Sequence, residues 1–326
     1  MKNYFSIAEV KDYTDILTFY NKFKENNKSE KEVEWEDSPL ETLVYDISTL
    51  KNIAIKNKNI SFFKFKIFTE RKKSIIKDNK GNLLPRDERI NKIESQGLVF
   101  HDSGKIKIVF LCGIENISKF KKDLFNKYTK LDSEIYFDED ILFWLFWHHE
   151  QNGDKSLSDD EDIFINDLRT YTGVSQDNKN EIKVDGDKAS TLLATLGSIF
   201  SSKKFKLLNL ELDYLDENIT VEIRNSGTYK LDIGSSKGDC DRHGVDRTFF
   251  LLIFVDIYVF PKIKNSYKKA IENNVWNELI QLSYTKQLGV KIINLVNEGL
   301  ALVERELKDK SKENSQRLFH EKIVKK

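Results

Sequence analysis

Cysteine and proline are scarce in this sequence. Its 326 residues include two cysteines, Cys112 and Cys240, and three prolines. Two isolated cysteines cannot build a disulfide framework, and neither belongs to a Cys-x-x-Cys pair of the kind that binds zinc. This cysteine usage is typical of a reducing compartment, so we expect a cytoplasmic protein.

Long apolar segments are also missing. The most hydrophobic run, TFFLLIFVDIYVF, covers residues 248–260 and contains Asp256. A membrane-spanning helix needs about 20 consecutive apolar residues, so this run predicts a buried segment of a globular core. The N-terminus, MKNYFSIAEV, becomes polar too early for the apolar region of a signal peptide. We therefore expect a protein that does not itself span a membrane.

Neither sign of charge is in excess. Lysine plus arginine and aspartate plus glutamate each number 53, so the formal net charge is zero. Overall charge therefore provides no general attraction for polyanions, and a nucleic-acid surface would have to be a local patch. The sequence has no glycine-rich phosphate-binding motif, no nucleophile elbow and no kinase motifs. Nucleotide-dependent chemistry has no support, and we predict no cofactor.

The sequence does contain alternating strands in both halves. Residues 60–68 alternate apolar side chains with lysine, and residues 97–111 read as a hairpin whose turn is His101-Asp102-Ser103-Gly104. Apolar residues at helical spacing then predict a helix over 117–131. A second set of strands follows, including a hairpin over 219–233 with its turn at residues 225–227.

The order of these elements predicts an α+β fold with antiparallel sheets, because runs of strands occur in both halves with helices between and after them. We expect two lobes, an N-terminal α+β lobe over residues 1–150 and a C-terminal α+β lobe over 151–326. The second lobe contains a helix near 192–199 and ends in long helices. A C-terminal apolar stripe recurs at helical spacing and comprises Ile292, Leu295, Val296, Leu302 and Val303.

The stretch FWLFWHHEQNGDKSLSDDEDIF, residues 143–164, combines aromatic, histidine and acidic residues. His148, His149 and Glu150 are ligand types for zinc or iron. Adjacent residues on a helix do not face each other, whereas a helical HExxH site places its two histidines four residues apart. We therefore predict no metal site here. The apolar part ends a buried helix, and the polar part is a solvated seam between the two halves.

One pattern points to catalysis. Asp167, followed by Glu181 and Lys183, has the order of the PD-(D/E)xK nucleases, in which two carboxylates bind Mg²⁺ and a lysine assists the attacking water. Such a site needs hard oxygen ligands that converge on the metal. In a chain with 33% charged residues, Glu-x-Lys also arises by chance on half-exposed strands. A Mg²⁺-dependent nuclease is therefore an alternative hypothesis.

Basic side chains form a more extended feature. If the two lysine-bearing strand segments share a sheet, their lysines form a ridge on its outer face, and a second basic cluster lies in FPKIKNSYKK. Such patches bind phosphates by releasing counterions, which makes binding salt-sensitive and indifferent to sequence. Solvated lysines on half-exposed strands are equally expected without that role. The candidate residues for binding duplex DNA are Lys64, Lys66, Arg71, Lys72, Lys105, Lys107, Lys262, Lys264, Lys268 and Lys269.

Three stretches also carry a resemblance in the order of their elements. They are GLVFHDSGKIKIVFLCGIENISKFKKDL, then TGVSQDNKNEIKVDGDKASTLLATLGSIF with KLLNLELDY, and finally the C-terminal helix. Together they resemble the RexA family of phage lambda exclusion proteins. The resemblance implies a two-lobed, dimeric DNA-binding protein that acts in phage exclusion.

These observations lead to one main hypothesis and two alternatives. The main hypothesis is a non-catalytic, sequence-indifferent DNA-binding protein of phage defence or exclusion (abortive infection) that acts as a homodimer. The first alternative is the Mg²⁺-dependent nuclease. The second is a protein-interaction module whose C-terminal helices dimerise or hold an effector partner.

Overall fold

The structure of this chain is a computed structural model. It describes residues 4–36, 38–159, 162–174, 181–185, 196–197, 200, 204–241 and 247–324. Strands and helices both make up large parts of it, and every strand pairing in these ranges is antiparallel, which confirms the predicted α+β class. No helix in the described ranges combines the length and the apolarity needed to cross a bilayer.

The N-terminal half contains eight described strands and four α-helices, and the alternation around residue 64 falls in its longest strand. In order they are β1 (Tyr4–Val10), α1 (Ile16–Glu25), β2 (Lys28–Lys31), β3 (Leu40–Tyr45), β4 (Lys51–Ile55), β5 (Lys58–Lys72), α2 (Arg86–Arg89), β6 (Ile90–Asp102), β7 (Lys105–Phe110), α3 (Ile114–Asp123), β8 (Leu131–Glu134) and α4 (Glu139–Asn152). The helix predicted over 117–131 corresponds to α3, which begins at Ile114 and ends at Asp123. Leu131, the end of the predicted helix, is the first residue of β8.

The C-terminal half contains five described strands followed by helices. In order they are β9 (Ile163–Val174), β10 (Glu181–Asp185), β11 (Lys204–Tyr214), β12 (Glu217–Arg224), β13 (Tyr229–Lys237), α5 (Arg247–Phe254), a π-helical segment (Val255–Val259), α6 (Phe260–Glu272) and α7 (Glu278–Val324). The helix predicted near 192–199 falls mostly outside the described residues.

Strand β1 joins the two halves. The main sheet has the order β10-β9-β11-β12-β13-β1-β7-β6-β5-β3-β2, with β4 paired to β5 and β8 paired to β1. Tyr4 and Phe5 pair with Lys230 and Tyr229 of β13, while the rest of β1 pairs with β7. The strands of both halves therefore form one hydrogen-bonded series, and the predicted boundary at residue 150 falls inside α4.

The hairpin between β6 and β7 has a tighter turn than the sequence predicted. Asp102 already pairs with Lys105, so only Ser103 and Gly104 form the loop. Their φ angles are 52° and 79°. Two-residue loops with both residues at positive φ match the right-handed twist of the flanking strands. The predicted four-residue turn therefore began two residues too early and ended at the correct residue.

Each face of the N-terminal strands packs against its own core. On one face, Phe63, Phe65 and Phe110 contact residues of α1 and α3, such as Phe23 and Phe120. The opposite face carries Phe62, Leu98, Phe100 and Val109, which belong to a second core shared with α4 and the C-terminal helices. Both faces of these strands are therefore covered by other elements.

Helix α4 lies in the second core. Residues 141–146 are all buried, as expected for a helix that is apolar on every side. Asp138 caps its N-terminus by accepting a hydrogen bond from the Ile141 backbone at 2.9 Å. Asp140 accepts hydrogen bonds from the Tyr267 hydroxyl, from Trp276 Nε1 at 3.2 Å and from Gln281 Nε2 at 2.6 Å. This single carboxylate therefore links α4 to α6 and α7.

Candidate functional site

The two lysine-bearing strands share a sheet, which was the condition for the predicted lysine ridge. Strand β5 pairs with β6 and β6 pairs with β7, with Lys64 opposite Leu98 and Lys107 opposite Phe100. Residues opposite each other in an antiparallel pair lie on one face, and alternate residues of a strand share that face. Lys64, Lys66, Lys105 and Lys107 therefore lie on the same face. It is the face that packs against the C-terminal helices.

Lys107 is at the centre of a buried charge network. Its Nζ lies 3.0 Å from Asp256 Oδ2 and 2.9 Å from Glu134 Oε2. The Tyr136 hydroxyl lies 2.6 Å from both Asp256 Oδ1 and Glu134 Oε2, and 2.7 Å from Lys107 Nζ. These four residues, from β7, β8, the loop after it and the π-helical segment, are called the Lys107 network below.

Burial sets the protonation of the Lys107 network. Asp256 has no exposed surface, and this burial raises its pKa to about 6, with a further upward push from Glu134 and opposing attraction from Lys107. For Lys107, burial acts to lower the pKa. Attraction to Asp256 and Glu134 outweighs that effect, so the pKa of Lys107 is raised above its ordinary value. Lys107 therefore stays charged as the cation between two carboxylates.

The other basic residues of the N-terminal candidates contact carboxylates or aromatic rings. Lys66 Nζ lies 2.7 Å from Asp46, Lys105 Nζ lies 3.3 Å from Glu9, and Arg71 pairs with Asp123. Lys64 Nζ lies 4.1 Å from the centre of the Phe249 ring, and Lys72 Nζ lies 5.4 Å from the centre of the Trp35 ring. These contacts partly neutralise the predicted ridge.

The C-terminal basic cluster lies on α6 and is more accessible. Lys264 and Lys268 are exposed and one helical turn apart, and Lys268 pairs with Glu272 at 3.5 Å. Lys262 and Lys269 are half-buried on other sides of the helix. Of the ten candidates, nine lysines and one arginine, four are exposed and six are half-buried. The exposed ones are Lys72, Lys105, Lys264 and Lys268.

The three residues of the nuclease pattern do not converge along the strands. Lys183 pairs with Thr172 of β9, and Glu181 pairs with Val174. Asp167 is five residues before Thr172, which corresponds to about 17 Å along a strand at about 3.3 Å per residue. Asp167 instead pairs with Glu211 in the β9–β11 ladder and lies 3.8 Å from Arg169 Nε. This separation exceeds the span of a shared Mg²⁺ coordination sphere.

The two adjacent histidines occupy the end of α4. His148 is buried. Glu150 Oε2 forms an ion pair with Lys291 Nζ of α7 at 3.0 Å. Burial lowers the pKa of His148 to about 4, and a hydrogen bond to the Ser156 backbone acts in the opposite direction. Within the described ranges, no three His, Cys, Asp or Glu side chains are grouped so that they could hold a metal ion.

Helix α7 presents apolar residues on two sides. Ile292 and Leu295 of the predicted stripe pack on the core, together with buried Tyr284 and Leu288. From Val296 to Lys310 every residue is exposed. The predicted stripe combined residues of both sides, although the exposed side has a spacing of its own. That exposed set is Ile293, Val296, Leu300, Val303 and Leu307, called the α7 seam below.

The α7 seam has the spacing of a coiled coil. Its members follow one another at intervals of three, four, three and four residues, which is the a/d pattern of a heptad repeat. Their exposed fractions run from 42% at Val296 to 62% at Leu307. A repeat of 3.5 residues keeps one stripe facing a partner helix along its whole length.

Comparison with known proteins adds no assignment, since neither a protein-family model nor a curated protein matches this chain. The site features above therefore rest on the chemistry of the residues themselves.

Proposed function

We propose that the protein is a non-catalytic interaction module that forms a homodimer through the α7 seam. The exposed heptad pattern on a helix that leaves the body of the protein carries this proposal. An isolated helix is only marginally stable in water, and apolar stripes of this length are covered in stable proteins. Pairing with a second α7 would bury the seam.

The charges around the seam favour a second copy of the same chain as the partner. Residues 278–310 carry equal numbers of acidic and basic side chains, so two copies meet without net repulsion. The acidic ones are Glu278, Glu298, Glu304, Glu306 and Asp309, and the basic ones are Lys286, Lys291, Arg305, Lys308 and Lys310. A heptad stripe is also self-complementary, because a and d side chains of one helix fit between those of an identical helix.

Replacing Leu300 with lysine is expected to convert the dimer to a monomer. Each dimer would lose two buried leucine contacts, each worth about 1.5–3 kcal/mol, so the dissociation constant should rise about 100-fold or more. Light scattering coupled to size exclusion measures the outcome, with the wild type at twice the chain mass of 38.2 kDa.

Leu302 supplies a matched control. It is 58% exposed, close to the 57% of Leu300, but it lies outside the a/d positions. Leu302→Lys should remain a dimer at the same concentration. A monomeric wild type, or equal effects of the two substitutions, would contradict the proposal, and a monomeric wild type would point to a different protein as the partner of α7.

A role in phage defence is the wider part of the proposal, and the resemblance to the exclusion proteins supports it. We expect cells that express the protein to plate phage less efficiently than cells that express Leu300→Lys. Leu302→Lys should protect as well as the wild type. Equal protection by Leu300→Lys, with its monomeric state verified, would separate defence from dimerisation.

DNA binding is a second candidate, and the exposed pair Lys264 and Lys268 favours it. Each contact between a basic side chain and a phosphate increases the salt dependence of binding, so affinity falls as the salt concentration rises. In a mobility-shift series with duplex DNA at low salt, Lys264→Glu combined with Lys268→Glu should weaken binding by about tenfold or more, because the charge of each chain falls by four units. Lys66→Glu, whose wild-type side chain pairs with Asp46, is the comparison.

Three results of the DNA experiment would count against this candidate. They are no shift at low salt, a shift that does not change with salt, or equal loss in both variants. Adding Mg²⁺ to the same reactions tests the nuclease alternative, since cleavage that requires Mg²⁺ and disappears in Glu181→Ala would revive it. Intact DNA in those lanes is the expected result.

A further inference from the structure

A cleft lies between α4 and α6. It encloses about 410 Å³ and is lined by Trp144 and His148 of α4, by Lys155, Ser156 and Ser158 of the loop after α4, and by Ser266 of α6. Ligand sites of small molecules begin at about 300 Å³. The volume therefore suits a compact molecule.

An unpartnered donor lies among these lining residues. Trp144 has no exposed surface, and its Nε1 has no hydrogen-bond partner in the described part of the chain. A buried N–H without an acceptor costs about 1–3 kcal/mol, so such groups are uncommon in native proteins. A ligand oxygen within this cleft would give the Trp144 N–H its acceptor.

The hydroxyl groups of the cleft are held in a small network. The Ser156 hydroxyl donates to the Ser158 carbonyl at 2.8 Å, and the Ser158 and Ser266 hydroxyls lie 3.3 Å apart. Ser266 has no exposed surface, although it lies on a helix whose outer side is solvated. A hydroxyl can rotate its hydrogen toward a new acceptor. The Ser158 or Ser266 hydroxyl is therefore able to donate to a bound oxygen.

The charges of the cleft favour an anion. Among the lining residues that the structure describes, Lys155 and Lys269 outnumber the one carboxylate, Asp159. His148 adds no charge at neutral pH, because burial lowers its pKa to about 4. Ammonium, hydroxyl and indole donors together match the oxygens of a phosphate or carboxylate group.

We infer that the cleft between α4 and α6 binds a small oxyanion, namely a molecule with a phosphate or carboxylate group. That group accepts a hydrogen bond from Trp144 Nε1 and forms an ion pair with Lys155. The apolar lining, which includes Leu157 and Val275, would contact the rest of the molecule. This site is distinct from the α7 seam, and it stands whether or not the chain dimerises.

Calorimetric titration of the full chain at pH 7 tests this inference, with inorganic phosphate, ribose 5-phosphate and malate as separate probes. We expect one binding event per chain with at least one probe. Trp144→Phe keeps an aromatic side chain and removes the N–H, and Lys155→Gln removes the charge, so each should weaken binding at least tenfold. Trp147→Phe is the matched control, since Trp147 packs on Trp276 and does not line the cleft.

The probes identify the oxyanion. Binding of ribose 5-phosphate but not of inorganic phosphate would assign a phosphate ester whose organic part contacts the cleft. Equal binding of both would assign the phosphate group alone, and binding of malate alone would assign a carboxylate. Three results would overturn the inference: no binding of any probe at millimolar concentration, undiminished binding in Trp144→Phe and Lys155→Gln, or the same loss in Trp147→Phe. Circular dichroism of each variant verifies that the fold is retained.

Discussion

Replacing Lys107 with methionine is expected to lower the free energy of unfolding by about 3–5 kcal/mol at pH 7, the typical cost of removing one partner from a buried ion pair. The substitution keeps the length of the side chain but leaves Asp256, which is fully buried, and Glu134 without their cation. Urea unfolding followed by circular dichroism measures the change. The loss should shrink toward pH 5, because protonation of Asp256 then removes one of the two negative charges.

Lys105→Met provides the control from the same strand. The Lys105 side chain is 59% exposed and its Nζ lies 3.3 Å from Glu9, so its removal should cost less than about 1 kcal/mol. Adding Asp256→Asn to Lys107→Met should recover part of the lost stability, since the amide carries no charge. Equal costs for the Lys107 and Lys105 variants would show that the Lys107 network does not hold the C-terminal helices on the sheet.

The stability of the wild type is expected to fall by up to about 3 kcal/mol through His148 as the pH drops from 6.5 to 4, given about 1.4 kcal/mol per pKa unit. The folded-state pKa of His148 is about 4, below its ordinary value of 6.5. In that interval the unfolded chain binds a proton that the folded chain does not, so acid favours unfolding. His148→Gln removes this titration, and its unfolding free energy should decline less over the same interval.

The difference in unfolding free energy between the wild type and His148→Gln isolates the contribution of His148. Asp256 titrates in the opposite sense, because its folded-state pKa of about 6 lies above its ordinary value of 3.8 and its stabilising contribution is lost as pH rises. That contribution is present in both proteins and cancels in the difference. Parallel pH profiles for the wild type and His148→Gln would contradict a buried, neutral His148.

The strands were predictable where apolar side chains alternate with lysine. They do so over residues 63–67 of β5, so the faces of Lys64 and Lys66 followed from the period of two. The sequence indicated the position of the turn at Ser103 and Gly104, but the predicted turn was too long. Pairing between Asp102 and Lys105 depends on the φ angles of the two loop residues. Local sequence carries this information only through the preference of glycine for positive φ.

The candidate site was less accessible to sequence reasoning. Asp256 was visible as a charge inside an apolar run, which marks a buried charge that needs a partner. Its partner, Lys107, lies 149 positions earlier in the chain, and nothing in either segment indicates that the two meet. The α7 seam was present in the spacing, yet it was merged with the stripe of Ile292 and Leu295 because both recur at nearly the same period.

By itself, the sequence determined the α+β class, the faces of the lysine-bearing strands and the helical C-terminus, because these follow from periods of two and of about 3.6 residues that local sterics impose. Only the tertiary structure decided what covers each face. The packing of α5 and the π-helical segment on the sheet placed Lys107 against Asp256. The position of α7 left Leu300 exposed. Such contacts depend on pairing between distant segments, and alternation defines the face of a strand but not its neighbour.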